Sequence, residues 1–229
     1  MKKNAICIIP ARSGSKRIPL KNIKKINNVH LIGHVIKNLK SSSIFKDIFV
    51  STDSNKIKNI SKKYGAKVPF LRGKKLSNDN TTVIKVIEDA LRRIDLDYQF
   101  DYVCYIFPTS IFVRKKYIIK MYKQFVKSKA DHFMVIKKFN HPVDRALYFQ
   151  NKNLIPINSK KFVSGTQKFK NYFYDTGQIY FSKKNSIINR KKIFQSKIDY
   201  YIEKNEVIDI DNFDDFLKAK KKFKNEKKK

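Results

Sequence analysis

The chain has 229 residues, enough for one substantial α/β domain with a full core, and a formal net charge of +33. No stretch approaches the roughly 20 apolar residues of a membrane span, and the lead of Lys2 and Lys3 lacks the apolar region and small-residue cleavage site of a secretory signal, so a cytoplasmic protein is expected. Only eight of the 52 basic residues are arginine, and lysine is spread over nearly every segment; a base-reading surface concentrates arginine forks on one element, so no specific nucleic-acid partner is expected, only weak, salt-sensitive attraction to polyanions.

In chain order, the apolar run over 5–9 predicts a buried strand. It ends in Pro10 and a small-residue loop of Ala11, Arg12, Ser13, Gly14, Ser15, Lys16 and Arg17, with Lys21 and Asn22 just beyond Pro19. A strand that empties into a cationic Gly/Ser loop can hold a polyphosphate. Gly14 lets the backbone approach the anion, Ser13 and Ser15 can donate hydrogen bonds, and the cations offset phosphate charge. An ordinary basic surface loop would have the same composition. Residues 31–39 follow as a helix with Leu31, Val35, Ile36 and Leu39 on one face. His30 and His34 are four apart on that helix, but no third ligand lies near, which argues against zinc.

A strand over 48–50 ends in Ser51, Thr52, Asp53 and Ser54, which can cap a helix over 56–64. A short strand over 68–71 delivers Arg72, suited to gripping an acidic substrate group or to a surface ion pair. Asp79, Asn80 and Thr81 open a helix with Val83, Ile84, Ile87, Leu91 and Ile94 on its apolar face. A strand over 102–107 ends in Pro108, Thr109 and Ser110, which suit a base or ribose and equally an ordinary turn. A helix over 116–126 and a strand over 132–136 complete the alternation. It implies a mainly parallel sheet covered on both faces, with ligands beyond the carboxyl ends of its strands. Arg12, Asp53, Arg72 and Thr109 all follow strand ends and should gather on one edge.

From residue 139 the alternation stops. Residues 139–174 read as loop, with short β pieces over 146–149 and 153–155 that suit a projecting hairpin, a lid or a dimer contact. Strands resume over 178–181, 200–202 and 207–210, before a last helix with Phe213, Phe216, Leu217 and Phe223 facing in. The lysine-rich end, from Lys218 and most densely over 220–229, is expected to fray. Cys7 and Cys104 sit in apolar runs and read as buried packing residues. Asp175, Gly177 and Gln178 enter a strand directly; the glycine fits a bulge or turn, and the carboxylate and amide groups suit a hydroxylated, amidated sugar. On a strand, Asp209 and Asp211 share one face and Ile208 and Ile210 the other. Two carboxylates at a strand end suit magnesium shared with substrate phosphates. Equally, Asp211 or Asn212 can cap the last helix while Asp209 pairs with a lysine.

Taken together, IIPARSGSKRIPLKN, VSTDS, the segment from Arg72 through Asp79 to Thr82, FPTS and IDID resemble, in order, the bacterial CMP-sugar synthetases, cytidylyltransferases that activate sialic-acid-like nonulosonic acids. Residues 142–147 and 174–180 are most like the pseudaminic acid cytidylyltransferase branch, which typically reads P-I-x-R-A-L and H-D-A-G-Q-F-Y there. Tyr174 and Thr176 depart from the branch's histidine and alanine, and Phe107 from the glutamine frequent in neuraminate enzymes. The resemblance implies a nucleotide-diphospho-sugar-transferase-like three-layer α/β/α fold in a single domain over 1–229. It also implies a homodimer met through 139–174. In the implied reaction the sugar's anomeric hydroxyl attacks the α-phosphate of CTP. Arg12, Lys21 and Asp211 would be catalytic. Ala11, Arg12, Ser13, Gly14, Lys16, Lys21, Asn22, Thr82, Pro108 and Thr109 would bind the nucleotide, and Arg72, Asp175 and Gln178 the sugar. Asp209 and Asp211 would carry Mg2+. N-acetylneuraminate, legionaminate and Kdo are the alternative sugar acids; a basic nucleic-acid-binding protein is the alternative from another class.

Overall fold

The computed structural model describes residues 4–94, 99–165, 167, 169–189 and 193–226. The lead of Lys2 and Lys3 and the last three residues of the lysine-rich end lie outside them. The central sheet has six strands in the order β10-β6-β9-β5-β1-β4. Strand β1 (Ala5–Pro10) pairs in parallel with β4 (Phe45–Ser51) and β5 (Tyr102–Ile106), and β6 (His132–Lys138) in parallel with β10 (Ile198–Ile202). Strand β9 (Phe173–Lys183) runs antiparallel between β5 and β6. The chain leaves β6 at its carboxyl end and comes straight back after the excursion. Without a crossover helix, the next strand must run the other way.

Helices α1 (Leu31–Ser42), α2 (Asn55–Lys63), α4 (Lys115–Ser128) and α7 (Phe213–Glu226) cover one face of the sheet. There Phe125, Phe133 and Phe181 pack as a mutual triad, with centroids 5.9–6.2 Å apart. Helices α3 (Val83–Ile94) and α6 (Lys184–Ile188) cover the other, over Ile6, Ile8 and Val103. Full burial of each such side chain contributes about 1.5–3 kcal/mol. Cys7 and Cys104 are buried, unbridged, and opposite one another on β1 and β5. On the α3 side, the β6–β10 end of the sheet leaves Tyr200 and Ile202 50% and 40% exposed, so the expected cover on both faces is incomplete there.

Several expected elements take another form. The strand over 68–71 reduces to single bridges from Lys67 to Phe49 and Leu71 to Thr52, since Pro69 has no N–H for a ladder. Residues 207–210 join no ladder, yet the alternation survives: Ile208 and Ile210 are buried while Asp209 is exposed. His30 lies before α1, in a small hairpin of β2 (Lys25–Ile26) and β3 (Val29–His30) turned by Asn27 and Asn28 at φ 49° and 61°. His34 bonds the Ile26 carbonyl at 2.9 Å and stacks on Phe223, so the two histidines have separate packing roles. Helix α7 continues through Glu226 because Ala219 and Phe223 are buried, whereas Phe213 and Leu217, expected to face in, are about half exposed. The hairpin is present as β7 (Leu147–Gln150) and β8 (Asn153–Pro156), followed by a single helical turn, α5 (Ser159–Phe162). Among the described residues no helix is long and apolar enough to cross a membrane.

Candidate active site

At the carboxyl end of β1 the Ala11 N–H still reaches the Ser51 carbonyl, at 2.9 Å, and the chain then turns into the basic loop. Ser13 donates both its backbone N–H and its hydroxyl to the two carboxylate oxygens of Asp53, each at 2.8 Å. Asp53 therefore pins the loop, and Ser54 alone caps α2, accepting from the Ile57 N–H at 3.4 Å. The buried Asn22 side chain donates to the Arg12 carbonyl at 2.8 Å and closes the loop's far end.

The cations of this loop reach two carboxylates. Arg12 and Lys16 meet Asp79 at 2.6 and 2.8 Å, and their hydrogen bonds hold its carboxyl below the usual range. Arg17 and Lys21 meet Asp211 at 3.1 and 3.2 Å, and Lys21 also donates to the Ile210 carbonyl at 2.7 Å. Beside the loop opens a cleft of about 480 Å³, lined by Arg12, Lys16, Lys21, Asn22, Arg72, Asp79 and the run Phe107, Pro108 and Thr109; Asp175, Asp209 and Asp211 are not among its lining. That volume suits a nucleotide-sized ligand. Arg72, 5% exposed, is held by its own N–H to the Thr52 carbonyl (2.7 Å) and by Nε to Ser77 (3.2 Å). Burial lowers its pKa, opposed by the charge of Asp53.

The expected one-edge gathering of Arg12, Asp53, Arg72 and Thr109 is present. Not every expected residue shares the cleft. Thr82 lines a separate cavity beside Glu88 and Arg92, while Thr81 takes the place in the cleft, its hydroxyl tied to Asn78 and Lys75. Ala11 is buried in the core, and Ser13 is committed to Asp53. A Cβ at Gly14 would meet nothing within 4 Å, so only an approaching ligand gives its absence a use. Arg72 lies with the nucleotide-side residues, and Gln178 lines another cavity, with Arg114 and Tyr117. The expected sugar set is therefore not one cluster.

The Asp175–Gln178 run forms a bulge in β9. Met134 pairs with Tyr180 and Ile136 with Asp175, so residues 176–179 stand opposite Val135 alone. Thr176, buried, returns its hydroxyl to the Val135 carbonyl at 2.9 Å. The Gln178 carbonyl accepts from the Phe107 N–H (3.2 Å) and the Ser110 hydroxyl (3.0 Å), tying the bulge to the cleft. Gly177 has φ 63°, and a Cβ there would lie 3.6 Å from an Asp209 carboxylate oxygen. Exposed as a residue, Asp209 is partly desolvated at its carboxyl; that first, and then the charge of Asp211, raise it above its usual range against the charges of Lys21 and Arg17. Asn212 caps α7, its side-chain oxygen accepting the Asp215 N–H at 3.0 Å while Asp215 accepts the Asp211 and Asn212 N–H groups at 3.1 Å; the cap thus falls to Asn212, and the Asp211 carboxylate goes to Arg17 and Lys21 instead. Two mutually repelling, partly solvated oxygen donors fit magnesium completed by phosphates and water. Among the described residues no third His, Cys, Asp or Glu joins them. Asp53 and Asp79 were not singled out as site residues in the sequence; their signal was an acidic side chain at a strand end or in a polar loop of a very basic chain.

A parallel-sheet edge that sets a cationic loop beside a nucleotide-sized cleft, with two cations of that loop reaching Asp211, belongs to the nucleotidyltransferase class. The chain is a member of the cytidylyltransferase family, whose family model matches residues 6–229. It is 32% identical over 218 residues to a pseudaminic acid cytidylyltransferase of Campylobacter jejuni, covering 94% of each chain. A CMP-N,N'-diacetyllegionaminic acid synthase of the same species is 46% identical over 88 residues, 38% of this chain and 37% of that one. Among solved structures, a CMP:2-keto-3-deoxy-manno-octonic acid synthetase complexed with CTP aligns with TM-score 0.73 over 97% of this chain and 99% of that one. At 13% identity that likeness speaks for the fold.

Proposed function

We propose that this chain joins CTP to a nonulosonic acid, with pseudaminic acid the first candidate, forming a CMP-sugar and releasing pyrophosphate. The observation that carries the reading is Arg17 and Lys21 of the strand-end loop reaching across to Asp211. Phosphate cations and the carboxylate pair then face one reaction centre. The sugar's anomeric hydroxyl attacks the α-phosphorus. A P–O bond forms as the bond to pyrophosphate breaks, and the hydroxyl proton leaves to solvent or a nearby carboxylate. Such a transfer needs positioning and charge neutralisation more than covalent help. Arg12 and Lys16 exchange Asp79 for phosphate oxygens, Lys21 neutralises charge at the reacting phosphate, and Pro108 and Thr109 flank the nucleoside. Asn22 serves through the loop it closes. Asp209 and Asp211 would hold Mg2+, which when bound neutralises phosphate charge.

The exposed Tyr200 and Ile202 of β10, and separately the hairpin residues Phe149 and Leu154, 78% and 54% exposed, support a homodimer. We place the enzyme in the cytoplasm, where CTP is available. Pyrophosphate release from CTP and Mg2+ is the direct test, with pseudaminic, legionaminic and N-acetylneuraminic acids side by side. Release with pseudaminic acid alone is expected. Release only with another acid overturns the sugar assignment, and silence with every acid overturns the function. Equilibrium sedimentation showing a monomer at micromolar concentration would remove the dimer.

A further inference from the structure

We propose that the Tyr180 hydroxyl is a positioning group of this site: through Asp175 it fixes the Gly177 turn against which Asp209 sits. The inference rests on the cytidylyltransfer reading above and assigns the origin of the geometry on the sugar side.

Tyr180 is 8% exposed, with its ring stacked on Tyr105 at 4.6 Å and 11°. Its hydroxyl donates to one Asp175 oxygen at 2.7 Å, and the other Asp175 oxygen accepts the Gly177 N–H at 3.0 Å. One carboxylate thus closes a turn inside the bulge while a buried phenol prevents it from rotating away. The bulge gives the turn its need for such a clamp: on the β6 side residues 176–179 have only Val135 opposite them, and the β5 pairing reaches only Ile179 with one further bond to Gln178, so no strand pairing holds Gly177 itself. Gly177 reaches φ 63° at the turn's apex, and a Cβ built there would lie 3.6 Å from an Asp209 carboxylate oxygen, which places the turn next to that carboxylate.

The donor stays a donor. Burial first, then the adjacent Asp175 carboxylate, pushes the phenol's pKa well up, so the hydroxyl keeps its proton at any pH at which the enzyme works. Asp175 itself is exposed. A carboxylate accepts about four hydrogen bonds, and two are used here. The remaining lone pairs are free for O–H or N–H groups of a hydroxylated, amidated acid sugar held next to Asp209. A freely rotating Asp175 would present those lone pairs in many directions; the Tyr180 hydroxyl selects one.

Tyr180→Phe removes the hydroxyl and keeps the stacked ring. The chain has six glycines, so a spectrum of 15N-glycine-labelled protein reads the turn directly. The Gly177 amide should shift and exchange with solvent at least about tenfold faster, with the other glycine amides unchanged. In steady state the KM for the sugar acid should rise roughly tenfold, the scale of one charge-assisted hydrogen bond, with the KM for CTP unchanged. An unchanged Gly177 amide overturns the proposal. So does a shift of all glycine signals with both KM values raised, which would mark a general structural role. If Tyr180→Phe does not fold, Asp175→Ala should produce the same Gly177 change, and a silent Gly177 there overturns the proposal equally. If the wild-type protein releases no pyrophosphate with any acid sugar, the function assigned above fails, while the glycine spectrum still decides whether Tyr180 fixes the turn.

Discussion

Asp53 pins the basic loop that follows β1. Its two oxygens take the Ser13 N–H and hydroxyl at 2.8 Å each, and the backbone bond from Ala11 to Ser51 lies two residues earlier on each strand. Hydrogen bonds to a charged group contribute about 1.5–3 kcal/mol each. The pair is half buried, so the lower figure applies, and Asp53→Ala should cost about 3 kcal/mol of loop order. At about 1.4 kcal/mol per tenfold, that is roughly a hundredfold in kcat/KM for CTP. The melting temperature should barely move, because the loop opens locally while the core beneath it stays packed. Asp53→Asn is the discriminating variant. Its carbonyl can still accept the Ser13 N–H, and its amide can donate to the Ser13 hydroxyl, so the loss should stay below about tenfold. Ser13→Ala, which deletes one bond of two, should fall near tenfold. The assay is initial-rate pyrophosphate release at varied CTP and saturating sugar acid. A CTP dependence within threefold of wild type for Asp53→Ala would refute the reasoning, as would Ser13→Ala proving as damaging as Asp53→Ala.

Three further outcomes are expected. Asp211→Asn should abolish magnesium-dependent turnover, a loss of at least about a hundredfold, with circular dichroism unchanged; near-normal activity would remove Asp211 from the metal pair. Thr176→Val keeps the side chain's shape but strands the Val135 carbonyl in the bulge, and should cost about 1–3 kcal/mol in urea denaturation; a neutral result would mean that the bulge repairs itself. His30 has its pKa lowered from 6.5, by burial first and then by Lys25, Lys56 and Lys63. Below 6.5 the unfolded chain therefore binds a proton that the folded chain resists, so stability falls with pH from 6.5 down to the depressed folded value and levels off beneath it. His30→Gln should flatten that part of the pH–stability curve, and an unchanged slope in thermal melts from pH 5 to 7 would assign the effect elsewhere.

Much of the fold was readable in apolar periodicity, because a buried parallel strand and an amphipathic helix must each declare themselves locally. The runs over 5–9 and 102–107 became β1 and β5, and the helix over 31–39 became α1, extended by three residues at its carboxyl end. Periodicity failed where the structure depends on what lies alongside. Residues 207–210 alternate as a strand does, but no described strand runs beside them, and burial of Ile208 and Ile210 alone preserves the pattern. Phe223 faces in as expected, against the rings of His34 and Phe112, and it is the fraying expected of its lysine-rich surroundings that fails, since helix α7 runs on past it. The antiparallel direction of β9 has no sequence signal of its own; it follows from how the excursion returns.

The site was legible as a set of residue types but not as a set of commitments. Ser13 reads as a phosphate donor and Asp53 as a helix cap, yet 40 residues apart in the chain they satisfy each other. The physical reason is general: in a chain this basic a carboxylate is scarce, and each one near the cleft has several cations or N–H groups competing for it. Asp79 goes to Arg12 and Lys16, Asp211 to Arg17 and Lys21, and Asp53 to the loop backbone. Asp209 has no ion pair among the described contacts; partial desolvation and the charge of Asp211 raise its carboxyl, and the charges of Lys21 and Arg17 offset that only in part. In the function proposed above, a divalent cation carried by the triphosphate would meet Asp209 beside Asp211 and ease the repulsion between the two carboxylates.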